Sequence, residues 1–169
     1  MNSEFYIYEL SNGIRCVHRQ TKSGVARCAL MINAGSRDER KGEEGIAHFT
    51  EHGFFKGTEH RKAYQVNCRL ENLGGELNAF TSKEDTTVHA TVLRGDFTKA
   101  VELVADVVFH STFPDNELDK EREVILDEIN TYRDSPNDDI YDTFEDLIFA
   151  GSELGHNILG TPRSLRGID

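Results

Sequence analysis

The feature that most constrains this chain is a change of hydrophobic period near residue 41. Before it, apolar residues alternate with polar ones or form short β-branched runs. Beyond it, most recur every three to four positions, as on one face of a helix. EFYIYEL (4–10) and IRCVHRQ (14–20) flank Ser11-Asn12-Gly13. Asn-Gly tolerates positive φ at both positions, so the spacing predicts a β-hairpin. GVARCALMINAG (24–35), an apolar run closed by glycine, is expected as a third strand buried on both faces.

KGEEGIAHFTEHGFFKGT (41–58) carries acids at its start and ends in Lys56-Gly57, the charge order and stop of a helix. A second helix is expected from Ala63 to Leu73, stopped by Gly74-Gly75. ELNAFTS (76–82) and DTTVHATVL (85–93) alternate like paired strands, with Val88, Ala90 and Val92 on one face. DFTKAVELVADVVFH (96–110) puts Phe97, Ala100, Val101, Val104 and Val108 on one helical stripe. PDNELDKEREVILDEINTYRD (114–134) opens with a proline suited to a first helical turn, and SPNDD (135–139) breaks it. A further helix is expected to about Ala150, and Thr161-Pro162 reads as an N-cap followed by the first helical residue. A helix begun so late predicts that the chain was cut from something longer. Strands followed by segregated helices predict an α+β fold, a mainly antiparallel sheet with helices packed on one face. The 169 residues suffice for one domain with a real core, expected over 1–169.

Composition narrows the partners. A net charge of −11 disfavours nucleic acid and anionic membranes, both of which demand a basic face, and favours basic peptides or metal ions. Cys16, Cys28 and Cys68 are odd in number and lack CxxC spacing, so buried free thiols in a reducing compartment are expected. MNSEFYIYEL has neither the basic nor the apolar region of a secretory signal, and no window approaches 18 apolar residues. The expected location is cytoplasmic.

The chemistry concentrates in HFTEH, residues 48–52. On a helix, His48 and His52 are neighbours on one face and can direct imidazole nitrogens at one zinc ion. Glu51 emerges on the same side but rotated away, where it can take a proton from metal-activated water. With 7 histidines and 17 glutamates, a chance HxxEH arises in roughly 3% of such chains. That is rare enough to set against the bland alternative of two solvated surface histidines. A hydrolytic zinc wants a third protein ligand and one open position. The helix 114–134 has an apolar stripe of Leu118, Ile125, Ile129 and Tyr132, and both Glu121 and Glu128 ride that face. They lie two turns apart, about 10 Å along the axis, so only one can coordinate a given ion. Spacing alone leaves the choice open.

NAGSRDER, GIAHFTEHGFFKGT, LGGELNAFTSKEDTTVHATVL and EREVILDEINTYRDSPND stand here in that order. Together they resemble the pitrilysin-type zinc metallopeptidases, whose HxxEH inverts HExxH, and in particular the mitochondrial-processing-peptidase-like branch. The resemblance runs from about Leu10 onward. It implies that His48 and His52 are zinc ligands and that Glu51 is the catalytic base. It selects Glu128, 76 positions after His52, as third ligand and leaves Glu121 as an outer acid that orients the site. It also implies a ferredoxin-like core and an edge strand, LNAFT, onto which a peptide substrate adds through Asn78, Ala79 and Phe80. Family members enclose substrate in a chamber of homologous domains. The resemblance therefore implies a longer protein of roughly 400 residues or more, with this chain alone poorly active. Thr50 and Gly53 depart from the family's large apolar residues, and looser packing around the helix is expected. The implied function is a zinc endopeptidase for unfolded peptides. The alternative is a non-catalytic partner subunit of the same fold, which has no reason to keep His48, Glu51, His52 and Glu128 together.

Overall fold

The computed structural model describes residues 5–168. Glu4, at the head of the expected first strand, and Asp169, at the end of the expected domain, lie outside the described residues. Strands β1 (Phe5–Glu9) and β2 (Arg15–Arg19) form the expected antiparallel hairpin, Phe5 opposite Arg19 and Glu9 opposite Arg15. Gly13 turns it at a φ of 87°. Strands β3 (Val25–Ile32), β4 (Glu76–Thr81) and β5 (Thr86–Leu93) form a second sheet in the order β3-β5-β4, antiparallel throughout.

Helices α1 (Ile46–Gly53), α2 (Ala63–Glu71), α3 (Phe97–His110), α4 (Asp115–Arg133), α5 (Pro136–Ile148) and α6 (Pro162–Leu165) complete the α+β architecture. Val88, Ala90 and Val92 of β5 are buried, as their alternation predicts, against Val66 and Leu70 of α2 and Ala100, Leu103, Val104 and Val107 of α3. Burying each of the larger aliphatic side chains contributes about 1.5–3 kcal/mol. The other sheet face is open, with Met31, Phe80 and Leu93 exposed. The expected burial of β3 on both faces is therefore corrected: its residues alternate between exposed and half-buried. A continuous apolar run reads the same whether one face is covered or two. The α3 stripe is likewise rotated by a fraction of a turn, leaving Val101 exposed.

A smaller core holds α1 against α4. Phe49 of α1 packs with Ile125 and Ile129 of α4 and with Leu159 and Leu165. The Arg122 guanidinium lies over the Phe49 ring and donates to the Leu165 and Ile168 carbonyls, tying α4 to α6. Tyr132, expected on this stripe, is exposed.

The helix expected over 41–58 is shorter, Ile46–Gly53. Gly42 and Gly45 both adopt a φ of 96°, which no helix accommodates. The cap comes instead from Glu39, whose carboxylate accepts from Gly45 N–H at 2.9 Å and Ala47 N–H at 2.8 Å. At the other end, a Cβ on Gly53 would stand 2.5 Å from Cδ1 of Phe113. That ring fills the space the missing side chain leaves, so the expected loosening at Gly53 does not occur. The break expected over 135–139 narrows to Ser135, because Pro136 already opens α5. Thr161 caps α6 as expected, accepting from Ser164 N–H at 3.1 Å. All three cysteines are free and half-buried. No helix among the described residues is long and apolar enough to cross a membrane.

Candidate metal centre

His48 and His52 rise from successive turns of α1, their ring centroids 4.7 Å apart. Both Nε2 atoms face Oε2 of Glu128, at 3.8 Å from His48 and 3.6 Å from His52. These separations are too long for hydrogen bonds. They sit close to the ~3.4 Å edge of a tetrahedron with ~2.1 Å bonds, the geometry of a zinc ligand set. One donor atom from each of the three residues lies within 4.8 Å of the others, and no other such cluster occurs among the described residues.

Electrostatics agrees with that geometry. His48 is buried, and burial, then the neighbouring His52 charge, lowers its pKa to about 4. It is neutral at physiological pH, the form in which imidazole binds metal. Its Nδ1 is buried without a hydrogen-bond partner. Burial raises the Glu128 pKa, with the His52 charge opposing and the Glu51 charge reinforcing that rise. A carboxylate in that position is relieved by a cation. Two imidazoles and a carboxylate are a donor set that suits zinc, and the residues present fit the ion.

Glu121, two turns before Glu128 on α4, is outside this triad. Its Oε2 lies 2.9 Å from His52 Nδ1, and its Oε1 lies 2.6 Å from Lys56 Nζ. Burial pushes its pKa up, but the contacts with Lys56 and His52 outweigh that and hold it below the usual carboxylate range. A carboxylate at Nδ1 places the proton there and leaves the Nε2 lone pair facing Glu128. Glu51 is half-buried on α1, near enough to Glu128 for its charge to be felt there.

Asn78, Ala79 and Phe80 lie on β4, an edge of its sheet that α1 packs beside. Ala79 points into the core, whereas Asn78 and Phe80 face outward. Ala79 N–H donates to Asn78 Oδ1 at 2.9 Å.

Sequence reasoning missed two supports. Lys56 was visible only as a stop residue, though it stands four places after His52. Glu39 caps α1 from outside it, and His156 Nε2 lies 2.8 Å from the same carboxylate, 117 positions away. No local pattern could disclose that pairing.

The family model described as "Insulinase (Peptidase family M16)" matches residues 15–162. "Uncharacterized zinc protease YmxG" of Bacillus subtilis is 41% identical over 160 residues, covering 94% of this chain and 39% of the relative. The mitochondrial-processing peptidase subunit beta of Dictyostelium discoideum is 38% identical, covering 99% of this chain and 36% of the relative. A solved protease from Helicobacter pylori superposes with a TM-score of 0.93 at 25% identity, over 99% of this chain and 41% of that one. A structure from Pseudomonas fluorescens described as a peptidase M16 inactive domain superposes at 0.88 with 17% identity, a likeness of fold alone. The chain thus spans about two fifths of the relatives it matches. A family match running from β2 to the start of α6, with relatives 41% and 38% identical along nearly the whole chain, shows that this protein belongs to peptidase family M16, the insulinase family.

Proposed function

We propose that the chain is the zinc-bearing domain of an endopeptidase that hydrolyses unfolded peptides. What carries this is the convergence of His48 Nε2, His52 Nε2 and Glu128 Oε2, with Glu51 beside them on α1. Zinc, when held by that triad, supplies a Lewis acid that polarises a carbonyl and makes water a better nucleophile at neutral pH. Glu51 takes the proton from the attacking water and returns it to the leaving amine. Glu121 keeps the His52 ring in its ligand tautomer. Substrate pairs as an added strand along β4, where an incoming carbonyl takes Ala79 N–H from the Asn78 side chain while Phe80 offers an apolar contact. The net charge of −11 favours basic peptides. Because the chain spans about two fifths of its relatives, closure over the substrate falls to further homologous domains or a partner subunit.

The test is zinc content by elemental analysis after dialysis against metal-free buffer, in the natural protein and in Glu51→Gln. Near one zinc per chain is expected in both. Peptide hydrolysis, measured in the longest form that cleaves, is expected to fall on the order of 10²–10⁴-fold in Glu51→Gln. A natural protein that stays empty after zinc is added back removes the endopeptidase reading and leaves the non-catalytic partner.

A further inference from the structure

Lys56 stands in the turn that leaves α1, its N–H donating to the Gly53 carbonyl at 3.0 Å. Its ammonium meets Oε1 of Glu121 at 2.6 Å, while Oε2 of the same carboxylate meets His52 Nδ1 at 2.9 Å. Each oxygen therefore has one partner, and the Glu121 side chain is only 12% exposed.

A carboxylate in this position has two courses. It can accept from His52 Nδ1, or rotate to compete with Glu128 for a cation. The first fixes the His52 tautomer. A single neutral donor does not enforce it, because a half-buried anion gains more from a cation than from an imidazole N–H. A fixed ammonium on Oε1 does, since it engages that oxygen and prevents the carboxylate's rotation.

We propose that Lys56 is a positioning residue for the metal centre: it pins Glu121 so that His52 keeps its proton on Nδ1 and presents Nε2 as the ligand atom. This rests on reading His48, His52 and Glu128 as a zinc triad. The proposal has a diagnostic sign. Removing a positive charge close to a divalent cation would by Coulomb's law alone tighten binding of the cation. Loss of positioning weakens it.

Two measurements on the same preparations test this. Zinc affinity is read by competition with a chromophoric chelator in the natural protein, Lys56→Met and Lys56→Arg. Long-range ¹⁵N–¹H spectra of the metal-free proteins report the His52 tautomer without any metal. Lys56→Met is expected to weaken zinc binding about 10–100-fold, the range for losing an outer partner of a ligand. Lys56→Arg, whose guanidinium still reaches the carboxylate, is expected to stay within about threefold. The natural protein is expected to show one His52 tautomer, protonated at Nδ1, and Lys56→Met a mixture. Unchanged or tighter zinc binding in Lys56→Met overturns the proposal and leaves the triad standing. Failure of the natural protein to bind zinc overturns the triad, and the tautomer comparison then decides the role of Lys56 alone. Should Lys56→Met not fold, Lys56→Gln takes its place. A natural protein whose His52 is protonated at Nε2 overturns the proposal without any variant.

Discussion

Among the described residues, two of the histidine–carboxylate clusters, one at Asp106 and one between α1 and α4, bring the same residue types to opposite electrostatic ends. Around Asp106 of α3, every charge is answered. Thr58 Oγ1 donates to Asp106 Oδ2 at 2.8 Å, His60 Nδ1 lies 2.5 Å from Oδ1, and the Arg61 guanidinium bonds the same carboxylate and Glu102 at 2.5 Å. Burial pushes the Asp106 pKa up, but these partners outweigh it and carry it below the usual value. Between α1 and α4 the accounts stay open. His48 Nδ1 has no partner, Glu128 Oε2 sits 3.6 Å from His52 Nε2 and 3.8 Å from His48 Nε2, and the Glu128 pKa is raised. A satisfied cluster is a staple. An unsatisfied one, with donor atoms converging on a gap, has the geometry that suits a cation.

The largest effect expected from this contrast is on metal affinity. His48→Ala is predicted to weaken zinc binding well beyond the about 100-fold that marks loss of an outer partner. Chelator competition measures it. If affinity changes by less than tenfold, the convergence of the three donor atoms is incidental and the two clusters are alike.

Acid separates the clusters next. The folded pKa of His48 is depressed, from 6.5 to about 4, so as pH falls the unfolded chain takes up a proton first. Its contribution to stability is present above pH 6.5 and is lost between pH 6.5 and about 4, by roughly 3 kcal/mol in the metal-free chain. Glu128 works the other way, because a raised carboxylate pKa favours the folded state as pH falls. The comparison must therefore be between the natural protein and His48→Gln, both of which retain Glu128. Asp106, lowered from 3.8, keeps its contribution through this window and loses it only below. Urea denaturation across pH 7 to 3 should show the earlier loss shrinking in His48→Gln. An unaltered profile would mean that His48 is not held neutral by its surroundings.

Much of the candidate metal cluster is legible in sequence because helices carry it. The three-residue steps from Leu118 to Glu121 and from Ile125 to Glu128 put both acids on the face of α4 that packs toward α1. Helical spacing likewise brings His48 and His52 together. What spacing cannot supply is the long-range partner. Glu43, Glu44 and Lys56 imitate the charge order of a long helix, while the actual start is set by Gly45 in the left-handed region and by Glu39 reaching in from outside. Coverage of β3 depends on how many layers assemble, which no single strand encodes. The Asp106 cluster was illegible for the same reason, since Thr58 lies 48 positions from its partner.

Breaking the satisfied cluster should cost stability and leave the metal alone. Asp106→Asn keeps the shape and the Thr58 bond but removes the charge that Arg61, only 17% exposed, is held by. A loss of about 2 kcal/mol is expected, below the 3–5 kcal/mol seen for fully buried pairs because His60 is largely in water. Urea denaturation measures the loss, and zinc stoichiometry should not move. A variant that lost zinc as well would show the two clusters to be coupled through the turn between α1 and α2.

The smallest expected effect discriminates most sharply. His52 and His60 are built alike at Nδ1, each fixed by a carboxylate from a neighbouring helix, at 2.9 Å and 2.5 Å. They differ at the far nitrogen. His52 Nε2 looks toward Glu128, with His48 alongside. The His60 side chain is 57% exposed and has the edge of His110 for company, 4.9 Å between centroids. If an oriented imidazole alone made a metal site, the natural chain would bind a second zinc at His60 and lose it in His60→Gln. If convergence of three donors is what matters, His60→Gln keeps one zinc per chain and costs at most about 1 kcal/mol, as exposed pairs do. Elemental analysis and urea denaturation decide between these. The second outcome is expected, because orientation sets which nitrogen is offered, and only the arrangement across α1 and α4 offers a cation somewhere to sit.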